Sequence, residues 1–137
     1  MVNFESSYYK LDELVTRVMM DTSLEGVVAD VAYLFGETAD NELSSLEAAP
    51  LIWKSGKVKN IAICGEPAVV GYLGFEDWKE KLIKFGIPAE KIIGIRVASE
   101  FPPSTHAEAL GLVRFAKKEG WKIVYIIAPP LHQLRAF

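Results

Sequence analysis

Four short apolar runs recur along the chain, at residues 27–35, 60–64, 91–97 and 121–128, separated by amphipathic stretches of helical length. Connections of that length are too long for hairpins, so consecutive strands must lie parallel and be joined by right-handed crossovers. The runs are almost continuously apolar, which suits a sheet covered on both faces. The pattern predicts an α/β protein: a three-layer α/β/α sandwich with a doubly wound, Rossmann-like, mainly parallel sheet of four strands. A barrel would need about eight such units.

Between the strands, residues 11–20 place Leu11, Leu14, Val15, Val18 and Met19 on one helical face, with Asp12 and Glu13 in the first turn. Residues 43–55 form a second expected helix, with Leu43, Leu46, Leu51 and Trp53 as core contacts. Pro50 should kink or divide it, and Gly56 should end it with a left-handed residue. Residues 75–85 turn Phe75, Trp78, Leu82 and Phe85 inward, and residues 105–119 form a fourth helix stopped by Gly120. Residues 131–137 would begin a fifth that the chain leaves unfinished, so a truncated carboxyl terminus is one expectation.

With 137 residues the chain should be a single domain, 1–137, with one core. A formal charge of −3 argues against a general nucleic-acid binder, which would rely on lysine and arginine. It leaves room for a small anionic ligand, which needs only a local positive potential. The single cysteine, Cys64, ends an apolar run, reads as a buried hydrophobe and fits a reducing compartment. No signal peptide or spanning segment is recognisable, so a cytoplasmic protein with no membrane association is expected.

In a doubly wound sheet, ligands bind at the carboxyl ends of the strands, where helix N-termini favour anions. Both histidines, His106 and His132, fall at such strand-to-helix junctions. His132 and Arg135 are three apart near the start of the last helical segment, after Pro129-Pro130, and would share a face. That pairs a titratable imidazole with a planar guanidinium, which suits phosphate or carboxylate binding or protonation of a leaving group. The plainer alternative has Arg135 pairing with a loop carboxylate and His132 capping the turn.

The loop before the fourth helix supplies Ser99, Glu100, Ser104, Thr105 and His106 as further candidates. Glu100 beside His132 would raise its basicity and make it a general base. Thr105-x-x-Glu108 has the spacing of a capping box, which alone accounts for both residues, although Ser104 could supply the cap instead. At the first two strand ends, Gly36-Glu37-Thr38 and Gly65-Glu66 put a glycine where positive φ or close ligand approach would be useful. Asp30 reads as a carboxylate that satisfies nearby backbone donors.

No GxGxxG, GxxxxGK[ST] or GxSxG motif is present, which disfavours a nicotinamide cofactor and excludes a P-loop and a hydrolase elbow. No histidine spacing matches a short metal motif, so no metal is assigned.

In order, Asp30 with the strand ending at Gly36, Trp53-Lys54-Ser55-Gly56-Lys57, the strand ending at Gly65, Gly86-Ile87-Pro88-Ala89-Glu90-Lys91, Ser104-Thr105-x-x-Glu108-Ala109 and His132-x-x-Arg135-Ala136 resemble the bacterial SanA/YdcF/ElyC-like family over residues 27–137. Where many relatives carry an arginine after the first strand, this chain has Ser44-Ser45, and Ser104 replaces the usual asparagine. No counterpart of the membrane anchor of those relatives is expected in this chain. The resemblance implies a Rossmann-like fold and a strand-end pocket for a nucleotide-like ligand such as S-adenosylmethionine. It implies no particular reaction.

The expectation is a small anionic or nucleotide-like ligand at the carboxyl edge of the sheet, with His132 and Arg135 able to serve an enzyme. The competing expectation is a non-catalytic binding or homo-oligomerisation module, with Leu131, Leu134 and Phe137 as contacts.

Overall fold

The computed structural model describes residues 26–129. The alternation seen in the sequence is realised as β1 (Val31–Leu34), α1 (Glu42–Lys54), β2 (Ile61–Cys64), α2 (Phe75–Lys84), β3 (Ile92–Ile95), α3 (Thr105–Glu119) and β4 (Val124–Ile127). A one-turn 3-10 segment, Ala89–Lys91, leads into β3. The sheet is parallel throughout, in the order β3-β2-β1-β4. The chain therefore steps outward twice, then returns over two strands to place β4 on the far side of β1.

That return puts α3 on the opposite face from α1 and α2, because right-handed crossovers in opposite directions use opposite faces. The side chains divide accordingly. Ala32, Leu34, Ile61 and Ile63 pack with Leu46, Ala49, Trp78 and Leu82 of α1 and α2. Val31, Tyr33, Phe35 and Ala62 turn to Leu112, Ala109 and Phe115 of α3. β1 pairs on both edges, with Ala32 opposite Ile61 and Tyr125, and all four of its residues are buried. The result is the expected three-layer sandwich.

Element ends differ from the sequence reading where local polar groups intervene. The first strand starts at Val31 rather than 27, because Asp30 is engaged sideways. Its Oδ2 accepts from the backbone N–H of Lys122 at 2.8 Å and of Ile123 at 3.1 Å, joining the approaches to β1 and β4. α1 runs unbroken through Pro50, which is buried beside Ala49. A helix tolerates the missing donor when that turn packs well. The buried stripe of α1 is Leu46, Ala49 and Pro50, with Trp53 partly covered. Leu43 and Leu51, expected in the core, are exposed because they fall off that stripe. Phe85 sits past the end of α2 and is also largely outside the core.

Glu42 opens α1 and meets α2 through a buried polar contact. Trp78 Nε1 donates to its Oε2 at 2.8 Å, and Lys81 reaches both Glu42 and Asp77. On the other face, Gly111 lets α3 lie against the chain leaving β3, since a Cβ there would press into the Arg96 carbonyl. No helix among the described residues is long and apolar enough to cross a membrane. The helix expected at residues 11–20 and the final helical segment lie outside the described residues.

The backbone donors of Lys122 and Ile123, followed by Lys59, hold the Asp30 carboxyl below the usual carboxylate range. A depressed carboxyl contributes stability above its unfolded pKa of about 4 and loses it as pH falls through the folded value. Asp30→Ala should cost about 1.5 kcal/mol at neutral pH. It should also flatten the loss of stability between neutral pH and about pH 3 in urea melts.

Candidate functional site

Parallel strands deliver every strand end and every following helix start to one edge. There a cleft of about 250 Å³ opens above β1, β2 and β3. Gly36, Glu37 and Thr38 follow β1, Cys64 ends β2 with Glu66 just after it, and Val97 follows β3. The loop residues Val69, Val70 and Tyr72 form one wall, and Pro103, Ser104, Thr105 and Glu108 of the α3 start form another.

Glu108 is a buried carboxylate at the centre of a polar network. It is 7 % exposed, and its Oε1 accepts from Tyr33 Oη at 2.7 Å and from the Gly36 backbone N–H at 2.8 Å. A carboxylate on α3 thus secures the carboxyl end of β1. Burial, then the nearby Glu108 charge, raises the Tyr33 phenol well above its ordinary pKa, so it stays a neutral donor. The same two causes push the Cys64 thiol up to about 12. A thiol so held is protonated at neutral pH and a poor nucleophile.

Glu66 is organised differently. Its Oε1 accepts from Arg96 Nε at 2.9 Å and from the Val97 backbone N–H at 3.1 Å, tying the exit of β2 to that of β3. Thr38 is held in its own turn, donating to Asp40 at 2.6 Å and accepting from Asn41 at 3.2 Å. Ser104 is the N-cap of α3, accepting from Ala107 N–H at 3.1 Å.

The wall at residues 69–72 is a tight hairpin. Val69 and Tyr72 exchange backbone hydrogen bonds at 3.0 and 2.9 Å around Val70 (φ 49°) and Gly71 (φ 82°), a type I′ turn. Gly71 is needed there, since a Cβ would lie 2.9 Å from Thr38 Cγ2. Tyr72 anchors the base by donating its hydroxyl to the Cys64 carbonyl at 2.8 Å and by an edge contact with Trp78. Val70 is β-branched in a left-handed conformation, a cost of roughly 1–2 kcal/mol.

Of the residues singled out from the sequence, Gly36, Glu37, Thr38, Glu66, Ser104 and Thr105 gather around this cleft. Gly65 is not among its lining. Its missing Cβ makes room for the backbone of Gly94 and Ile95, which would lie 3.0 Å away. Neither Gly36 nor Gly65 has positive φ, so the conformational reason expected for them does not apply. Ser99, Glu100 and His106 are exposed and are not in the lining. Glu100 pairs with Arg114, whose guanidinium holds its carboxyl below the usual range. His106 makes an edge contact with Phe101, ring centroids 4.9 Å apart. His132 and Arg135 lie outside the described residues.

Of the two caps the sequence offered, Ser104 rather than Thr105 caps α3, and Glu108 reaches β1 instead of closing a capping box. Tyr33, Glu108 and the Val70 hairpin are the site features the sequence reading missed. A hydroxyl in an otherwise apolar strand was the available signal for Tyr33, because a buried phenol needs a partner. Among the described residues, no three His, Cys, Asp or Glu side chains gather closely enough to hold a metal ion.

Glu108→Ala should strand the Tyr33 and Gly36 donors and cost about 3 kcal/mol, whereas Glu108→Gln, whose amide oxygen can accept from both, should cost about 1 kcal/mol. Urea denaturation of the two variants against wild type checks this ordering.

Comparison with known protein families, curated proteins and solved structures finds no match to this chain, so its function must be argued from the site itself.

Proposed function

We propose that this protein binds a nucleotide-like small molecule, of the nucleoside, nucleotide or S-adenosylmethionine type, in the cleft at the carboxyl edge of its sheet. The observation that carries the reading is convergence: three strand ends and the first turn of α3 line one cleft. Open parallel sheets use this edge for ligands because loops there vary without disturbing the core. At about 250 Å³ the cleft suits a ligand fragment of nucleoside size rather than a whole dinucleotide.

Each wall has a chemical role in this reading. Glu37 and Glu66 would accept hydrogen bonds from sugar hydroxyls, and the start of α3 at Ser104 and Thr105 would add neutral polar contacts. Arg135 would add charge to the same ligand, and His132 would handle a proton if a reaction occurs. The ordered motifs resembling the SanA/YdcF/ElyC-like family support the same assignment.

The test is a thermal-shift and calorimetric panel of adenosine, AMP, ATP, S-adenosylmethionine and inorganic phosphate. At least one nucleoside-containing compound should raise Tm in wild type, and a His132→Ala/Arg135→Ala double variant should respond less. Equal responses would remove those two residues from the site, and a flat panel would remove the reading.

A second reading, association through a non-catalytic surface, is favoured by β4. Among the described residues β4 pairs only with β1, and its four apolar residues are all partly exposed. An apolar edge strand is a template for pairing with a second copy. Light scattering across a concentration series should show a dimer if this holds, and a strict monomer would exclude it.

A further inference from the structure

Val70 occupies a position that the backbone alone would give to another residue. The first central residue of a type I′ turn needs positive φ, and asparagine or glycine meets that need with little strain. Here a β-branched side chain sits at φ 49°, and its residue is 77 % exposed, so core packing does not explain it. The hairpin is braced against relaxing: Val69 and Tyr72 close it with reciprocal bonds, and Tyr72 is bridged to Thr38. The strain is therefore held, with the isopropyl group at the cleft wall. Backbone strain kept in place by its surroundings is characteristic of ligand-contact positions.

Val69, Val70 and Val97 are aliphatic members of the cleft lining, and Glu37, Glu66 and Glu108 are its acidic ones. A ligand lying in it meets both aliphatic and acidic groups, and so must offer both apolar surface and hydrogen-bond donors. We infer that Val70 is a specificity-determining contact that covers a flat apolar group of the ligand, such as a nucleobase ring face, while the ligand's hydroxyls turn toward the carboxylates. The inference rests on the proposed nucleotide-like ligand and adds its orientation and the residue that selects for a ring.

Val70→Asn and Val70→Ile separate strain from contact. Asparagine relaxes the turn but removes the apolar contact; isoleucine keeps both the strain and the branch. Thermal melts should show Val70→Asn rising by roughly 2–6 °C, with Val70→Ile close to wild type. In titrations with adenosine, AMP and S-adenosylmethionine, Val70→Asn should weaken whichever probe wild type binds by roughly tenfold. Val70→Ile should stay within about twofold of wild type. Unchanged affinity in Val70→Asn would overturn the contact while leaving the cleft reading intact. An unchanged or lower Tm in Val70→Asn would overturn the strain on which the inference stands. Failure of every probe to bind wild type would defeat the cleft reading, and the Val70 assignment with it.

Discussion

Parallel pairing constrains everything else in this molecule. A strand that must run beside its predecessor in the same direction obliges the chain to travel back along the sheet between them, and a helix is the compact way to do so. Each return begins at the same edge. With β3 at one margin and β4 across β1, the last return has to use the opposite face, which is why α3 faces α1 and α2 through the sheet. The cleft follows from that arrangement: α3 starts on one side of the strand ends and the 69–72 hairpin stands on the other.

Two buried carboxylates of this interior are matched closely, whereas the Ser45 hydroxyl is buried without a hydrogen-bond partner. Glu42 is met by an indole N–H and an ammonium where α1 touches α2. Glu108 is met by a phenol and a backbone N–H where α3 touches β1. The two differ in position relative to the cleft. The first lies between helices and serves packing, whereas the second belongs to the wall a ligand would touch. Buried carboxylates of this kind specify one docking geometry, because any displacement leaves donors unsatisfied in a poorly polarizable medium.

Much of the architecture was legible because it depends on period and punctuation. Residues 105–119 are amphipathic and followed by Gly120, and α3 spans that range with Gly120 at φ 70°. Gly56 likewise takes φ 73° after α1. Core assignment within α1 was less legible, since Leu43 and Leu51 are as apolar as Leu46 and only the three-dimensional stripe separates them. Half the site was also readable: glycines and acids after strands are local marks, and Glu37, Thr38 and Glu66 carry them. Glu108 was not, because a capping spacing and a long-range hydrogen bond use the same residue, and sequence alone does not say which partner wins. The Val70 turn was not legible either, because valine is an unusual choice at its position.

The Asp30 link between the approaches to β1 and β4 bears on how the chain reaches this state. Its acceptor and donors are separated by 92 and 93 positions along the sequence. Among the described strands, β1 therefore acquires its second neighbour only after nearly all the described chain has emerged. During synthesis, Val31, Ala32, Tyr33 and Leu34 would spend that interval with one edge unpaired, a period of vulnerability to association with other nascent chains. Closure by β4 is the late, topologically distant event that ends it.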